Sequence, residues 1–187
     1  MLALLGFAVF RAAGSLPVNE INQRNRVVSF AESQLGVREA TGRNDGADVK
    51  KYLAVTGLSE GHPWCAAFVS WVFVQSDIKT TCSARVVDWF KSNVVYGRNW
   101  QKDMVKPEKA MVAGFYYPEL KRYGHIGIVC GITPGLKDII TIEGNTNSSG
   151  SREGQGVYRK IRPLKTIAVF ADPCLNKNCN INKPFHQ

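Results

Sequence analysis

Several kinds of residue and pattern are scarce in this 187-residue chain, and each scarcity excludes a class of protein. No apolar run approaches the roughly 20 residues a membrane-spanning helix needs, so no membrane span is expected. There is no Cys-x-x-Cys pair, and the three histidines, His62, His125 and His186, are far apart. Zinc-ligand spacing is therefore missing, and neither a metal nor another cofactor is expected. Internal repeats and low-complexity tracts are absent, which argues against solenoid and disordered architectures. Acidic residues are few, 15 against 24 Lys and Arg, for a net charge of +9. Such a balance favours polyanionic partners: nucleic acid, an anionic membrane or an acidic cell-wall polymer. Helix-turn-helix, zinc-finger and RNP signatures are lacking and the positive charge is scattered, so no specific nucleic-acid partner is expected.

What is present reads as one ordinary domain: 44% hydrophobic and 21% charged residues, in a length that accommodates one core rather than two. Residues 1–10, MLALLGFAVF, have the length of a secretory signal's apolar region, with Ala12, Ala13, Gly14 and Ser15 behind them for cleavage. No Lys or Arg precedes that run, and Arg11 interrupts the path to the small residues. Residues 1–20 are accordingly read as a signal peptide or N-terminal extension, 21–173 as the domain and 174–187 as a tail, in a secreted or periplasmic protein. Of the five cysteines, Cys174 and Cys179 flank the short sequence LNKN. They either close a small ring in an oxidising compartment or remain thiols, and the sequence leaves both open.

Apolar spacing predicts helices over 24–35, 45–54 and 64–74, and a further one over ARVVDWFKSN capped by Ser83. Asn44-Asp45-Gly46-Ala47-Asp48 lacks the closing Glu of a calcium loop and reads as a turn entering a helix. The pattern then changes period. HIGIVCGI, DIITIE, GVYRKIR and IAVFA read as strands joined by short connections, which predicts an antiparallel meander. Helices first and strands after make an α+β domain.

The chemistry concentrates in GHPWCAAFVSW. Pro63 disfavours helix before it and favours one starting just after, which places Cys65 in a first helical turn. There the unpaired N–H groups and the helix dipole favour a thiolate, and the same groups can hold an oxyanion. A thiolate needs a base, and His125, opening a strand after Tyr123-Gly124, is the best placed. His62 sits before Pro63 in a loop and His186 beside the last residue. The base needs an acceptor that fixes its tautomer, and TIEGNTN supplies Glu143 and Asn145. Trp64 and Tyr123, with Tyr116 and Tyr117, are aromatic candidates for substrate contact. Lys50, Lys51, Lys102, Lys106 and Lys109 form a solvated surface that can also meet an anionic wall polymer.

Three blocks in this order, PWCAAFVSWVF, YGHIGIV and TIEGNTN, resemble the CHAP domains, cysteine- and histidine-dependent amidohydrolases and peptidases of the papain-like group that includes NlpC/P60. Upstream, AESQLGVREATGRNDGADVKKYL is similar to the family's lead into its nucleophile. The resemblance implies a papain-like α+β fold, N-terminal helices packed on a C-terminal antiparallel sheet. It implies Cys65 as nucleophile, His125 as general base and then acid, and Glu143 or Asn145 as the orienting group. Glu143 is favoured because a carboxylate stabilises an imidazolium better than an amide does. The implied substrate is peptidoglycan, cut within the stem peptide or between the sugar and the first L-alanine. A catalytically silent wall-binding module and a cysteine amidase of another amide are the rival readings. VAGFYYPELKRYGH departs from the Gly-Asp pair that often precedes the family's His strand.

Overall fold

The most apolar segment of the chain, CAAFVSWVFVQ, forms the helix around which everything else is arranged. In a computed structural model that describes residues 18–97, 106–149 and 154–175, it runs Cys65–Gln75 and is buried almost all round. Two helices precede it, α1 (Val18–Glu32) and α2 (Ala47–Ala54), so the central one is α3. Each presents one apolar stripe to it: Val27, Val28 and Ala31 from α1, Val49, Tyr52 and Leu53 from α2. Tyr52 packs edge-on against Phe68 and Trp71, joining α2 to α3 through aromatic contacts. The loop before α2 is the turn expected there, with Asp45 accepting from the Thr41 N–H and hydroxyl and Gly46 in the left-handed region at φ 106°.

Six strands follow: β1 (Val94–Gly97), β2 (Val112–Tyr117), β3 (Arg122–Ile132), β4 (Asp138–Thr146), β5 (Gly156–Pro163) and β6 (Val169–Ala171). They form one antiparallel sheet in the order β1-β6-β2-β3-β4-β5. The fold is α+β, with its helices first and its antiparallel sheet after. The expected meander holds from β2 to β5 and then breaks. β6 does not add beside β5 but returns across the sheet to pair with β2 and β1. Two strands went unread in the sequence. VAGFYY is β2 rather than a connection, and the end of ARVVDWFKSN is not helix. Only Val86–Phe90 coils there, as a 3-10 turn, before Asn93 takes a left-handed φ of 54° and the chain leaves as β1.

The central strands of the sheet are buried on both faces. Ile126, Ile128 and Ile142 meet the helices, whereas Phe115, Val129, Ile139 and Phe170 pack into a second apolar cluster. Strands buried on both faces lose the clean alternation of a half-exposed sheet, which is why HIGIVCGI is continuously apolar. Among the described residues no helix is long and apolar enough to cross a membrane. The N-terminal apolar run, Lys102, Cys179 and His186 lie outside the described residues.

Gly144 marks where α3 and the sheet touch most closely. A Cβ there would lie 2.7 Å from Cζ3 of Trp64 and 2.8 Å from Cβ of Phe68. Gly144→Ala is therefore expected to destabilise the fold by about 1–3 kcal/mol through overpacking. Urea titration of the purified variant measures it, and an unchanged midpoint would show that α3 has room to move.

Candidate active site

Cys65 is the first residue of α3, as the proline before it dictates. No side chain caps this helix end. The first intrahelical bond runs from the Phe68 N–H to the Trp64 carbonyl at 2.8 Å, so the N–H groups of Cys65, Ala66 and Ala67 lie ahead of it. Cys65 keeps 5% of its surface exposed and lines a groove of about 200 Å³ together with His62, Pro63 and Tyr123. The thiol is thus set at the positive end of a helix and reachable from outside.

His125 lies on β3 directly opposite Phe115 of β2, whose ring stands 5.6 Å from the imidazole. It is fully buried. Its Nε2 meets Oε2 of Glu143 at 2.9 Å. The other ring nitrogen, Nδ1, is buried without an aligned hydrogen bond, which leaves it open to the neighbouring Cys65 sulfur. Burial is the largest influence on the ring and opposes its charge. The hydrogen bonds and charges of Cys65 and Glu143 outweigh it and lift His125 to about 9. That direction favours the imidazolium at neutral pH.

Glu143 has no exposed surface at all. It survives as a carboxylate because every side of it is occupied. Arg162 grips it through Nε to Oε1 at 2.8 Å and through its terminal nitrogen to Oε2 at 2.5 Å, and the Thr141 hydroxyl donates to Oε1 at 2.6 Å. Burial alone would raise this acid; the Arg162 and His125 contacts prevail and hold it near 2. Gly127 on β3 makes the space, since a Cβ there would come within 2.6 Å of Cγ of Glu143. The signs of the two shifts bracket a pH window. Glu143 contributes stability above its ordinary 4.5 and loses it as pH falls through about 2; His125 contributes below its ordinary 6.5 and loses it as pH rises through about 9.

Asn145 does not touch the imidazole. At a left-handed φ of 55°, its Oδ1 accepts the Trp64 N–H at 3.2 Å, while its amide nitrogen donates to Asn44 Oδ1 and to the Gly154 carbonyl, both at 3.0 Å. It pins the entrance of α3 to two loops. Of the two orienting groups weighed from the sequence, Glu143 is the one in contact with the ring. Trp64, expected to meet substrate, is corrected here. Its indole has no exposed surface, stacks on Tyr52 at 5.5 Å between centroids and donates its N–H to Glu39 at 2.9 Å. A large ring that satisfies its one polar atom internally is held in the core. Tyr123 does line the groove, packed edge-on against Phe90 and Tyr116.

Residues 57–145 match the family model described as the CHAP domain. This stretch is a CHAP domain. The family comprises hydrolases of the peptidoglycan amidase and peptidase type. Comparisons with curated proteins and with solved structures found no match. The CHAP match contains Cys65, His125, Glu143 and Asn145, and ends before Arg162. Arg162 is the residue that sequence reasoning passed over. Its signal was available: an acid in the apolar strand IITIE needs a counter-charge, and alternation along GVYRKIR puts Tyr158, Lys160 and Arg162 on one face. Glu39 also accepts the Asn44 N–H at 2.9 Å and so braces the loop beside the N-terminus of α3.

Proposed function

We propose that the chain cleaves an amide bond of peptidoglycan by thiol catalysis, with Cys65 as nucleophile, His125 as acid and base, and Glu143 as the group that orients the ring. The observation that carries this reading is the sulfur at the open end of α3 beside a buried imidazole whose far nitrogen is already committed to a carboxylate. The thiolate of Cys65 attacks the carbonyl carbon, and the carbonyl electron pair moves to oxygen. That oxyanion sits at the N–H groups of the first turn of α3, where the helix dipole favours negative charge. As the tetrahedral adduct collapses, Nδ1 of the His125 imidazolium gives its proton to the leaving nitrogen, and the amine departs. The neutral ring then takes a proton from water, which attacks the thioester and releases the carboxylic acid and the thiolate. Glu143 keeps Nε2–H pointed at itself throughout, so Nδ1 is always the nitrogen that faces the sulfur.

Tyr123 forms one wall of the groove in which the substrate lies. A wall polymer as substrate puts the site of action outside the cytoplasmic membrane, in keeping with the exported protein expected from the N-terminal residues. The test is to incubate the full chain with purified peptidoglycan and identify the fragments by mass spectrometry. Paired new amines and carboxylates, suppressed by prior alkylation of the thiol, are expected, and their masses name the bond. New reducing sugar ends without new amines, or no cleavage, would refute the proposal.

A further inference from the structure

We infer that the groove beside Cys65 holds a carboxylate of the substrate, gripped between Arg122 and Arg85 next to the amide to be cut. The inference rests on the reading above and names the chemistry of the substrate it serves. Both arginines line the same groove as the thiol, and among the described residues no acidic one lines it. Arg122 is the exposed first residue of β3, and its guanidinium has no carboxylate partner among the described residues. Arg85 comes from the segment leading into the 3-10 turn, with its side chain 73% exposed. The carboxylate near it, Asp88, stands 4.0 Å from Nε and is already engaged by Lys91 at 2.6 Å and by the Ser83 hydroxyl at 2.8 Å. Two guanidinium groups therefore keep their donors for a ligand.

Charge is not spread evenly around the nucleophile. A second cleft, of about 410 Å³, also reaches Pro63 and is lined by Glu39, Asn44, Asn145 and Gln155 and, among the described residues, by no cationic one. The two clefts share Pro63, so among the described residues a peptide lying across α3's entrance meets cationic side chains in the cleft of the thiol and none in the other. A planar fork of N–H donors matches a carboxylate, and wall stem peptides carry free carboxylates close to their amide bonds.

The test uses the full chain carrying Cys65→Ala, which binds without turnover, and two synthetic stem tetrapeptides. One, L-Ala-γ-D-Glu-L-Lys-D-Ala, has free carboxylates; in the other both are amidated. Calorimetry is expected to give about tenfold tighter binding of the free acid, weakened by added salt as exposed ion pairs are. Adding Arg122→Gln or Arg85→Gln should each remove part of that preference, and the double substitution all of it. Lys79→Gln, an equal charge change at an exposed site that does not line the groove, should leave it intact. Equal affinity for the two peptides, a preference that survives the double substitution, or no binding of the free acid overturns the inference. Arginine-dependent binding of the acid in a chain that releases no amine from peptidoglycan would sink the hydrolase reading while leaving the clamp in place.

Discussion

Cys65→Ala is expected to abolish amide hydrolysis of peptidoglycan, with a loss of at least roughly 10⁴-fold in kcat/KM, because a residue acting as nucleophile takes the whole covalent route with it. The fold should hardly notice. Cys65 already stands at the mouth of the groove, and the change removes one sulfur atom without introducing a polar group. A cost on the order of 1 kcal/mol is expected, or about 2–4 °C in Tm for a chain of this size. Turbidity clearance of purified peptidoglycan, measured beside the melting curve, separates lost chemistry from lost structure. Undiminished clearance by the alanine variant would eliminate Cys65 as nucleophile. Cys65→Ser tests the same point differently, since a hydroxyl beside His125 keeps the shape but forms no comparable anion. It too should be nearly inactive.

Glu143→Gln should lower kcat by about 10²–10⁴-fold, the range in which replacing an orienting carboxylate by its amide acts in other acid–base dyads. Two physical consequences combine. The amide can offer its N–H to the ring and turn the wrong nitrogen toward the sulfur. It also removes a negative charge that, beside the contribution of Cys65, favours the protonated form of His125. The second consequence has a signature of its own. In the native protein the alkaline limb of activity is expected near pH 9, where the imidazolium discharges. Without Glu143 that limb moves down, toward the ordinary histidine value of 6.5, because only the raising contribution of Cys65 is left against the burial that opposes charge. The variant also leaves Arg162 without the acceptor for both its bonds, so a stability loss of about 2–4 kcal/mol accompanies the kinetic defect. A pH–rate profile whose alkaline limb does not move would show that Glu143 does not set the charge of His125.

Much of this site was legible one segment at a time. The helix that carries Cys65 follows from Pro63 and from an apolar run long enough to be buried all round. The three strands that carry His125, Glu143 and Arg162 follow from β-branched runs bounded by turn residues. Glu143 drew notice because an acid in IITIE is out of keeping with its neighbours. VAGFYY was harder, since its glycine and its distant partners, β3 on one side and β6 on the other, lend it no local signal. ARVVDWFKSN misled for the opposite reason: its apolar spacing suits a helix, but Asn93 turns left-handed so that the next residue, Val94, can pair with Ala171 in the sheet.

Trp64 and Asn145 show where local reading stops. On paper, the tryptophan beside Cys65 looks like a substrate contact and the asparagine two residues beyond Glu143 like a second orienting group. In the folded chain the first closes the core against Tyr52 and the second fastens the entrance of α3. Nothing within a few residues of either decides between those roles. The answer lies in groups 81 and 101 positions away, Asn145 from Trp64 and from Asn44.

By itself the amino-acid order determined which groups can do chemistry here and which backbone states present them: a thiol in a first helical turn, an imidazole and a carboxylate on strands. These are consequences of proline geometry, apolar periodicity and side-chain type, all of which act over short range. Tertiary structure decided everything that depends on distance: that Glu143 rather than Asn145 holds the ring, that Arg162 holds Glu143, and that Arg85 and Arg122 share a groove with the sulfur. Charges and hydrogen bonds act across space rather than along the chain, so their partners exist only once β3, β4 and β5 lie side by side beneath α3.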